Sequence, residues 1–290
     1  MTVRSTLARI AAQEDINFLV TNRLPRRLAT HVIGWLSRVE RPWVARPAIA
    51  LWRLFSAIDL ADAATGDFAS MHALFTRALK PGTRAPDPDP AALASPCDAI
   101  VGACGVVAGD IVHQIKGFPY SLAELLGDAG DAAPFAGGRY VTLRLTAGMY
   151  HRFHAPHDLV VEGVTYLSGD CWNVNPIALK RIERLFCRNE RAAIRARLAD
   201  GGEPILLVAV AAILVASIRL TFLDTPALLR DGGPRRLPLS AALAKGQEMG
   251  WFEHGSTILL FAPPGFAMAE GVGEGSRIRA GEALLRREPA

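Results

Sequence analysis

A proline-rich segment divides the chain into two parts with different sequence patterns. The segment KPGTRAPDPDPAALASP (80–96) contains five prolines, and proline interrupts both helices and central strands. The first 80 residues have a helical pattern, whereas short β-branched runs broken by glycine follow the segment and predict strands. We therefore expect an α+β protein in which N-terminal amphipathic helices, within residues 1–90, precede a β-rich core of mostly antiparallel sheets in residues 91–290.

The excess positive charge lies in the N-terminal part. The whole chain carries 32 basic and 28 acidic residues, a formal charge of +4. Residues 1–53 hold nine arginines and three acids, or +6, so the remaining 237 residues carry a net −2. The same part holds Trp35, Trp43 and Trp52. Arginine beside tryptophan is typical of surfaces that meet anionic lipid headgroups.

An amphipathic helix is predicted over residues 27–40. Its apolar side chains fall on one side at helical spacing: Leu28, Val32, Trp35, Leu36 and Val39. Two interpretations stay open for this face. It either packs on the protein's own core, or part of it lies on a membrane.

Several features exclude other classes of protein. The longest apolar run, Ile205 to Ile218, has 14 residues, which is short of the ~20 needed to span a bilayer and predicts buried strands. The four cysteines (97, 104, 171 and 187) show no CxxC spacing, so neither zinc nor a disulfide framework is implied. The first residues do not have the pattern of a secretory signal, and we expect a cytoplasmic protein.

Two local patterns bear on secondary structure. Ser121 followed by Glu124 is a capping box that predicts a short helix over SLAELLGD. The segment ERAAIRARLA (190–199) has helical propensity, but it precedes the apolar run across a DGGEP turn. A helix and a β-hairpin both fit this segment.

Three short stretches contain residues that could carry chemistry. YHRFHAPH (150–157) holds three histidines at three-residue spacing, but Pro156 interrupts a helix and strand residues three apart face opposite ways, so no metal site is expected. Gly255-Ser256-Thr257 precedes an apolar strand and does not match the GxSxG nucleophile motif. Asp98 stands at the entrance to a predicted strand. Each stretch alone also fits an ordinary turn or surface cluster.

Together these stretches resemble the bacterial membrane-associated phosphatidylserine decarboxylases, pyruvoyl-dependent enzymes that mature by self-cleavage. The resemblance extends over nearly the whole chain, in the family's order. It is carried by FLVTNRLPRRLATHVIGW (18–35), FTRALKPGTR (75–84), SPCDAIV (95–101), IKGFPYSLAELLG (115–127), YHRFHAP (150–156), VNP (174–176), FCRNER (186–191) and KGQEMGWFEHGST (245–257).

The resemblance implies a self-processing triad of Asp98, His154 and Ser256. A serine hydroxyl becomes a good nucleophile when an imidazole takes its proton and a carboxylate holds that imidazole in the right tautomer. Ser256 Oγ would attack the carbonyl of Gly255, where the missing Cβ permits close approach. Cleavage between Gly255 and Ser256 would produce a β chain of residues 1–255 and an α chain of residues 256–290.

The implied cofactor is a covalent pyruvoyl group made from Ser256. Its ketone would condense with the amine of a serine headgroup and accept electrons as carbon dioxide leaves. The resemblance places His151 at the substrate's carboxylate or phosphate and lets His154 serve again as a proton donor. Four further residues match family segments without an assigned role, and a structural role fits them equally well: Lys116, Arg188, Asn189 and Glu190.

The chain departs from the family pattern at four positions. Ala99 stands where the family usually has glycine after the triad aspartate, and Ala211 and Ala216 replace two glycines of a later strand. His254 replaces a leucine or phenylalanine before the GST triplet. An added methyl group in a tight backbone approach costs on the order of 1 kcal/mol. The triad itself is intact.

The expected function is therefore decarboxylation of phosphatidylserine to phosphatidylethanolamine in phospholipid biosynthesis. The expected setting is the cytoplasmic face of the cell membrane, with an anionic lipid surface and a second copy of the chain as partners and no nucleic acid. One alternative is a pyruvoyl decarboxylase of another amino-acid headgroup or a soluble amino acid, although a soluble substrate would leave the basic N-terminus unexplained. A non-catalytic lipoyl- or biotinyl-like module is a second alternative, but Lys116 lacks the methionine-flanked hairpin such modules need.

Overall fold

A computed structural model of the protein describes residues 13–15, 18–19, 26–56, 58–115, 118–212, 218–225, 235–253 and 256–289. Its helices are α1 (Arg26–Ser37), α2 (Pro42–Phe55), α3 (Met71–Phe75), α4 (Leu122–Leu126), α5 (Pro176–Leu179) and α6 (Leu185–Arg188), with a 3-10 turn at Ala133–Phe135. Its strands are β1 (Ala92–Ala94), β2 (Ala99–Val106), β3 (Ile111–Ile115), β4 (Phe118–Ser121), β5 (Arg139–Leu145), β6 (Arg152–His154), β7 (Leu159–Leu167), β8 (Arg191–Leu198), β9 (Pro204–Ala211), β10 (Ile218–Leu220), β11 (Arg235–Leu243), β12 (Glu248–Phe252), β13 (Ser256–Ala262), β14 (Phe266–Met268), β15 (Arg277–Ile278) and β16 (Ala283–Arg287).

An eight-stranded sheet forms the centre of the molecule. Its strand order is β11-β7-β8-β9-β13-β5-β2-β15, and every neighbouring pair runs antiparallel. Two three-stranded sheets, β10-β12-β6 and β1-β16-β14, and the pair β3-β4 complete the strands. The α+β class with mostly antiparallel sheets is confirmed.

Strand β13 lies in the middle of the large sheet and is buried on both faces. Side chains on a strand alternate between faces, and here Ile258 and Leu260 join one hydrophobic cluster while Leu259 and Phe261 join the other. The first cluster also contains Phe153 of β6 and Phe252 of β12. The two small sheets therefore cover the face toward which Ser256, in phase with Ile258, directs its side chain.

Two segments that the sequence left open or only outlined are defined by the structure. Residues 191–198 form β8 and pair antiparallel with β9, so the hairpin interpretation is the right one. The short helix predicted after Ser121 is α4, and the hydroxyl of Ser121 accepts a hydrogen bond from the N–H of Glu124 at 3.2 Å. Gly127 ends this helix with φ = 73°, a left-handed conformation that glycine adopts without a Cβ clash.

The helical pattern does not continue to residue 80. After α2, residues 58–70 form turns, and only the five-residue α3 follows. Short polar side chains explain this difference, because they bind the nearby backbone and so compete with helix formation. Asp59 Oδ1 accepts from Ala61 N at 2.9 Å, and Thr65 Oγ1 accepts from Asp67 N at 3.2 Å. The expectation of helix in this stretch is wrong.

Helices α1 and α2 expose apolar side chains. Six of the nine exposed large apolar side chains described in the structure lie on these helices: Val32, Trp35, Leu36, Trp43, Leu51 and Leu54. Trp35 of α1 is 70% exposed and Trp43 of α2 is 77% exposed, so these two side chains do not pack on the described part of the core. None of the helices described has the length and apolar content needed to cross a membrane.

Candidate active site

Ser256 lies where the chain passes from a small sheet into the large one. β12 ends at Phe252 and β13 begins at Ser256. His254 and Gly255, between them, lie outside the described residues. Ser256 pairs in register with Ala211 of β9 and Leu145 of β5. Its backbone is therefore held by strands on both sides.

The hydroxyl of Ser256 is buried and unpaired. The residue is 0% exposed, and Oγ makes no hydrogen bond to any described residue. A buried hydroxyl without a partner costs on the order of 1–3 kcal/mol. A native protein tolerates that cost where the group has another use, and a nucleophile kept free for reaction is such a use.

Asp98 precedes β2, and an arginine holds its carboxylate. Arg84 binds it through Nε and Nη2, each at 2.8 Å, and the N–H of Ala280 donates a third hydrogen bond at 2.9 Å. Nη1 of Arg84 binds Asp62 at 2.8 Å. These bonds to Asp98 and Asp62 raise the pKa of Arg84 above its usual value. The carboxylate is thus fixed in position without a bond to a histidine.

His154 is the last residue of β6. Its N–H donates to the carbonyl of Pro96 at 2.8 Å, which joins β6 to the loop that carries Asp98. Nδ1 lies 2.9 Å from the carbonyl oxygen of Gly246, and because a carbonyl only accepts, Nδ1 carries the proton. The hydroxyl of Tyr150 donates to Nε2 at 3.1 Å. Nε2 is therefore the basic nitrogen of His154.

Burial keeps the imidazole of His154 neutral. Desolvation lowers its pKa, and the hydrogen bond to Gly246 and the negative charges of Glu248 and Asp98 oppose that effect. Asp98 thus acts on His154 through its charge, whereas the carbonyl of Gly246 holds the tautomer. A neutral imidazole can accept a proton from a hydroxyl at Nε2 when the Tyr150 hydroxyl gives up its hydrogen bond to that nitrogen.

His151 lies just before β6 and is fully buried. Nδ1 donates to the carbonyl of Met149 at 2.8 Å, and the ring centroid lies 3.9 Å from that of Phe75. Nε2 is buried without a hydrogen bond to any described residue. Desolvation, with a smaller effect of the Arg77 charge, lowers the pKa of His151 to about 3. The carbonyl of His151 accepts from the N–H of Phe252 at 3.0 Å, so this histidine is tied to the strand that leads into the crossover.

The three histidines of residues 150–157 turn toward different parts of the molecule. His157 Nε2 donates to a third backbone carbonyl, that of Pro90, at 2.8 Å. In the described part of the chain, no group of three or more His, Cys, Asp and Glu side chains is arranged to hold a metal ion.

The structure places two of the three predicted triad residues side by side. Asp98 and His154 are joined through the backbone at Pro96 and interact by charge. Ser256 makes no hydrogen bond to either. Its connection to them runs through β12, which pairs with β6 and continues into the crossover.

Three residues near the site had no role in the sequence analysis. Tyr150 begins the string YHRFHAP and Arg84 ends FTRALKPGTR, so both stood in matched segments without a recognisable motif of their own. Glu253 lies two residues before Gly255. Its carboxylate, 8% exposed, binds Arg38 at 2.5 Å and Arg219 at 3.2 Å.

The segment FCRNER has a structural role in the described residues. The amide of Asn189 binds the backbone N–H and carbonyl of Trp172 and the carbonyl of Ala211, each at 2.8 Å. Glu190 accepts a hydrogen bond of 2.5 Å from the hydroxyl of Tyr166. Since Ala211 pairs with Ser256, Asn189 supports the strand beside the serine. Lys116 lies outside the described residues.

Two of the four departures from the family pattern can be located. Ala99 is fully buried and pairs with Ile278, and Ala211 is buried beside Ser256. Strand pairing is intact at both positions, so each methyl group is accommodated. Ala216 and His254 lie outside the described residues.

Comparisons with known proteins agree on one family. The family model described as phosphatidylserine decarboxylase matches residues 71–286. A phosphatidylserine decarboxylase proenzyme of Halorhodospira halophila is 37% identical, covering 99% of this chain and 97% of that protein. Proenzymes of the same name from Xanthomonas oryzae pv. oryzae and Pseudomonas paraeruginosa are 34% and 36% identical, covering 93% and 90% of this chain and 97% and 93% of their own lengths.

Proposed function

The chain belongs to the phosphatidylserine decarboxylase family, and we propose that it cuts itself between Gly255 and Ser256 and then decarboxylates phosphatidylserine to phosphatidylethanolamine. The observation that carries the proposal is the hydroxyl of Ser256. It is buried without a hydrogen bond to any described residue, at the first residue of a central strand and directly after a crossover between sheets. A rigid strand on one side and a crossover on the other suit a serine that attacks its own preceding peptide bond.

The cleavage requires a base, a nucleophile and a neighbouring carbonyl. We assign the base to Nε2 of His154, which takes the proton of the Ser256 hydroxyl. Oγ then bonds to the carbonyl carbon of Gly255 while the C–N bond breaks, which converts the amide into an ester. Removal of the Ser256 α-proton expels the Gly255 carboxylate. The dehydroalanine that remains takes up water and releases ammonia, which leaves a pyruvoyl group on the α chain, residues 256–290.

The residues present fit such a group. Ser256 lies in a dry environment, in phase with the buried Ile258, with small Ala211 as its strand partner. The group is covalent, so no separate binding site is needed to hold it. Its carbonyl supplies the electron sink for loss of carbon dioxide.

The neighbouring side chains supply proton transfer and orientation. The hydroxyl of Tyr150 keeps Nε2 of His154 aligned, and the charge of Asp98 stabilises the imidazolium that forms when His154 takes a proton. Arg84 holds Asp98 in position through its paired hydrogen bonds. We assign His151 to the substrate side of the site, where its neutral imidazole and the ring of Phe75 offer a largely apolar setting for the leaving carboxylate.

We further propose that residues 1–90 are the membrane-contacting part and residues 91–290 the catalytic core. The exposed tryptophans of α1 and α2 support this division, because tryptophan prefers the interface between lipid and water. The arginines of the same segment favour anionic lipid, and the substrate is itself an anionic lipid. Peripheral attachment at the cytoplasmic face and a homodimeric assembly rest on the family resemblance.

The exposed apolar face also bears on the alternative functions. A pyruvoyl decarboxylase of a soluble amino acid has no use for six exposed apolar side chains on two helices. A lipoyl- or biotinyl-like module has no use for a buried, unpaired serine at a sheet crossover. Both observations favour the lipid decarboxylase.

Intact-mass analysis tests the proposal. The purified protein should yield two fragments, of residues 1–255 and 256–290, with a pyruvoyl group at the start of the smaller one. Ser256→Ala should stay as a single chain with an unchanged fold by circular dichroism. Ser276→Ala, which changes a half-buried serine in the loop before β15, should be cleaved normally. A folded wild-type protein that remains one chain would contradict the proposal.

A further inference from the structure

A cavity of about 530 Å³ adjoins the candidate active site. Asp98 and Tyr150 form part of its wall. The rest comes from residues 56–84, from the loop at 146–149 and from residues 277–282. The cavity therefore lies against two groups that act on His154. Its wall also includes Ser56, the residue that follows α2.

Arg77 lies in the wall of this cavity, and no carboxylate of the described residues makes an ion pair with it, although Asp98 and Asp59 of the same wall act on its charge from a longer distance. The residue is 6% exposed. Nη1 donates to the carbonyl of Leu74 at 3.3 Å and Nη2 to the carbonyl of Gly148 at 3.0 Å. Nε is buried without a hydrogen bond, and no carboxylate of the described residues lies within ion-pair distance. Burial lowers the pKa of Arg77, and the charges of Asp98 and Asp59 offset that effect only in part. Binding an anion at the guanidinium would therefore be favourable.

Arg191 is as buried as Arg77 but differs from it in its hydrogen bonds. It is 5% exposed, and no carboxylate of the described residues forms an ion pair with it. Nε, Nη1 and Nη2 nevertheless all donate to backbone carbonyls, at 2.6–3.1 Å: those of Leu125, Cys187, Asn189 and Glu124. Arg191 is thus satisfied by the fold and holds the chain together. Arg77 is only partly satisfied, and it borders a cavity.

We propose that this cavity binds the phosphate diester of the lipid headgroup and that Arg77 is the residue that anchors it. The inference rests on the proposed function, because it takes the substrate to be phosphatidylserine. A guanidinium can donate two hydrogen bonds to one phosphate group. Arg84 is occupied by Asp98 and Asp62, and the exposed side chains of Arg277 and Arg279 add positive charge at the cavity's edge.

The chemistry of the reaction selects the phosphate over the carboxylate as the partner of Arg77. The carboxylate loses its negative charge as carbon dioxide forms, so an arginine bound to it would stabilise the substrate more than the transition state and slow the reaction. The phosphate diester keeps its charge throughout, and binding it tightly adds no such barrier. His151 is neutral and lies beside the apolar ring of Phe75. This setting suits a carboxylate that loses its charge in the reaction.

The position of the cavity agrees with a lipid substrate. Its edge at Ser56 places it at the end of α2, the helix whose Trp43 and Leu51 are exposed. The phosphate of a bilayer lipid lies close to the acyl chains, at the depth where interfacial tryptophans lie. A headgroup whose phosphate binds at Arg77 would then extend its serine toward Tyr150 and His154.

The test combines self-cleavage, turnover and competition in the full-length protein. Arg77→Gln should still be cleaved, as judged by intact mass, but its KM for phosphatidylserine in mixed micelles should rise about tenfold or more, with kcat within about threefold of wild type. Glycerophosphoserine should inhibit the wild-type enzyme competitively and lose about the same factor in affinity against Arg77→Gln. Free serine, which has no phosphate, should inhibit the wild-type enzyme and Arg77→Gln to the same extent.

A matched variant controls for the loss of one positive charge. Arg236→Gln removes an arginine from a different cavity, of about 490 Å³, where Asp128 and Asp131 already bind it. Its KM should equal that of wild type. If Arg77→Gln does not fold, Arg77→Lys replaces it and should be cleaved normally with an intermediate rise in KM.

Four outcomes decide the matter. A wild-type protein that is neither cleaved nor active overturns the proposed function itself. An active wild type with an unchanged KM in Arg77→Gln overturns only the role of Arg77. If neither Arg77 variant is cleaved, Arg77 is a structural residue, and its role in binding the phosphate is likewise overturned. Inorganic phosphate that competes as strongly as glycerophosphoserine identifies a general phosphate site and overturns the assignment to the lipid headgroup.

Discussion

The two N-terminal helices and the β core place the same kinds of side chain in opposite environments. In β9 and β13 nearly every residue is buried, because protein covers both faces of the large sheet. In α1 and α2, tryptophan, leucine and valine are exposed on one side. Apolar residues alone therefore do not define a core. What differs is the covering layer, because the described residues bury both faces of the large sheet but leave these side chains of α1 and α2 exposed.

The helices are nevertheless connected to the site. Arg38, just after α1, binds Glu253 at 2.5 Å, two residues before the cleavage position. Trp52 of α2 lies edge-on to Phe75 with ring centroids 6.2 Å apart, and Phe75 lies against His151. The N-terminal helices and the β core thus share two sets of contacts. Changing each region separately is the way to separate their roles.

The largest effect is expected for the exposed tryptophans. Trp35→Ser combined with Trp43→Ser should weaken binding to anionic vesicles by about 3 kcal/mol, or on the order of 100-fold, because two large apolar side chains no longer enter the lipid interface. Vesicle sedimentation at low and high salt measures this.

Val106→Ser is the matched control, since Val106 is 49% exposed on the β core and should not matter for binding. The melting temperature of both variants should equal that of wild type. Unchanged vesicle binding in the tryptophan variant would show that the exposed tryptophans of α1 and α2 contribute no more to lipid binding than Val106 of the β core does.

The second effect concerns the pH dependence of stability, which is expected to come from the core. His151 is buried with its pKa lowered to about 3, whereas an unfolded histidine titrates near 6.5. Below pH 6.5 the unfolded chain therefore binds a proton that the folded chain does not, and stability falls with decreasing pH. At pH 5 the loss from this one group is about 2 kcal/mol.

Urea unfolding at pH 7.5 and pH 5 measures that loss. His151→Gln should reduce the difference between the two pH values by about 2 kcal/mol, while His113→Gln, which changes an exposed side chain, should leave it as in wild type. An equal pH dependence in wild type and His151→Gln would show that the buried imidazole is not its source.

The smallest effect is expected at the contact between the two regions. Glu253→Gln leaves Arg38 and Arg219 without their shared carboxylate and should lower the free energy of unfolding by about 1–2 kcal/mol, since both arginines keep some contact with water. It should also slow self-cleavage, because the carboxylate holds the end of the strand that leads to Gly255.

Asp131→Asn is a close match for this change. Its carboxylate is 9% exposed and is likewise bound by two arginines, Arg195 and Arg236, but far along the chain from the crossover. Both variants should lose similar stability, and only Glu253→Gln should slow the appearance of the two fragments on a gel. Equal cleavage rates in the two variants would mean that the contact stabilises the fold without positioning the cleavage site.

Much of the core could be predicted from the sequence because its determinants are local. Alternating apolar residues and glycine-bounded runs predicted the strands, and Ser121 predicted a short helix. The order of the short motifs identified the family. Where local signals conflicted, as in residues 190–199, only strand pairing with residues 204–211 decided between helix and hairpin.

By itself, then, the sequence determined the α+β class, the family, and the residues Asp98, His154 and Ser256 as candidates for the site. The tertiary structure decided which groups surround them. Arg84 holds Asp98, and the carbonyl of Gly246 holds His154. Arg77 lies against the loop at Gly148 without an ion pair to any described carboxylate, and Glu253 binds an arginine 215 residues away. Each of these contacts joins segments that a local pattern does not relate. Hydrogen bonding, burial and charge depend on distance in space, and folding sets that distance.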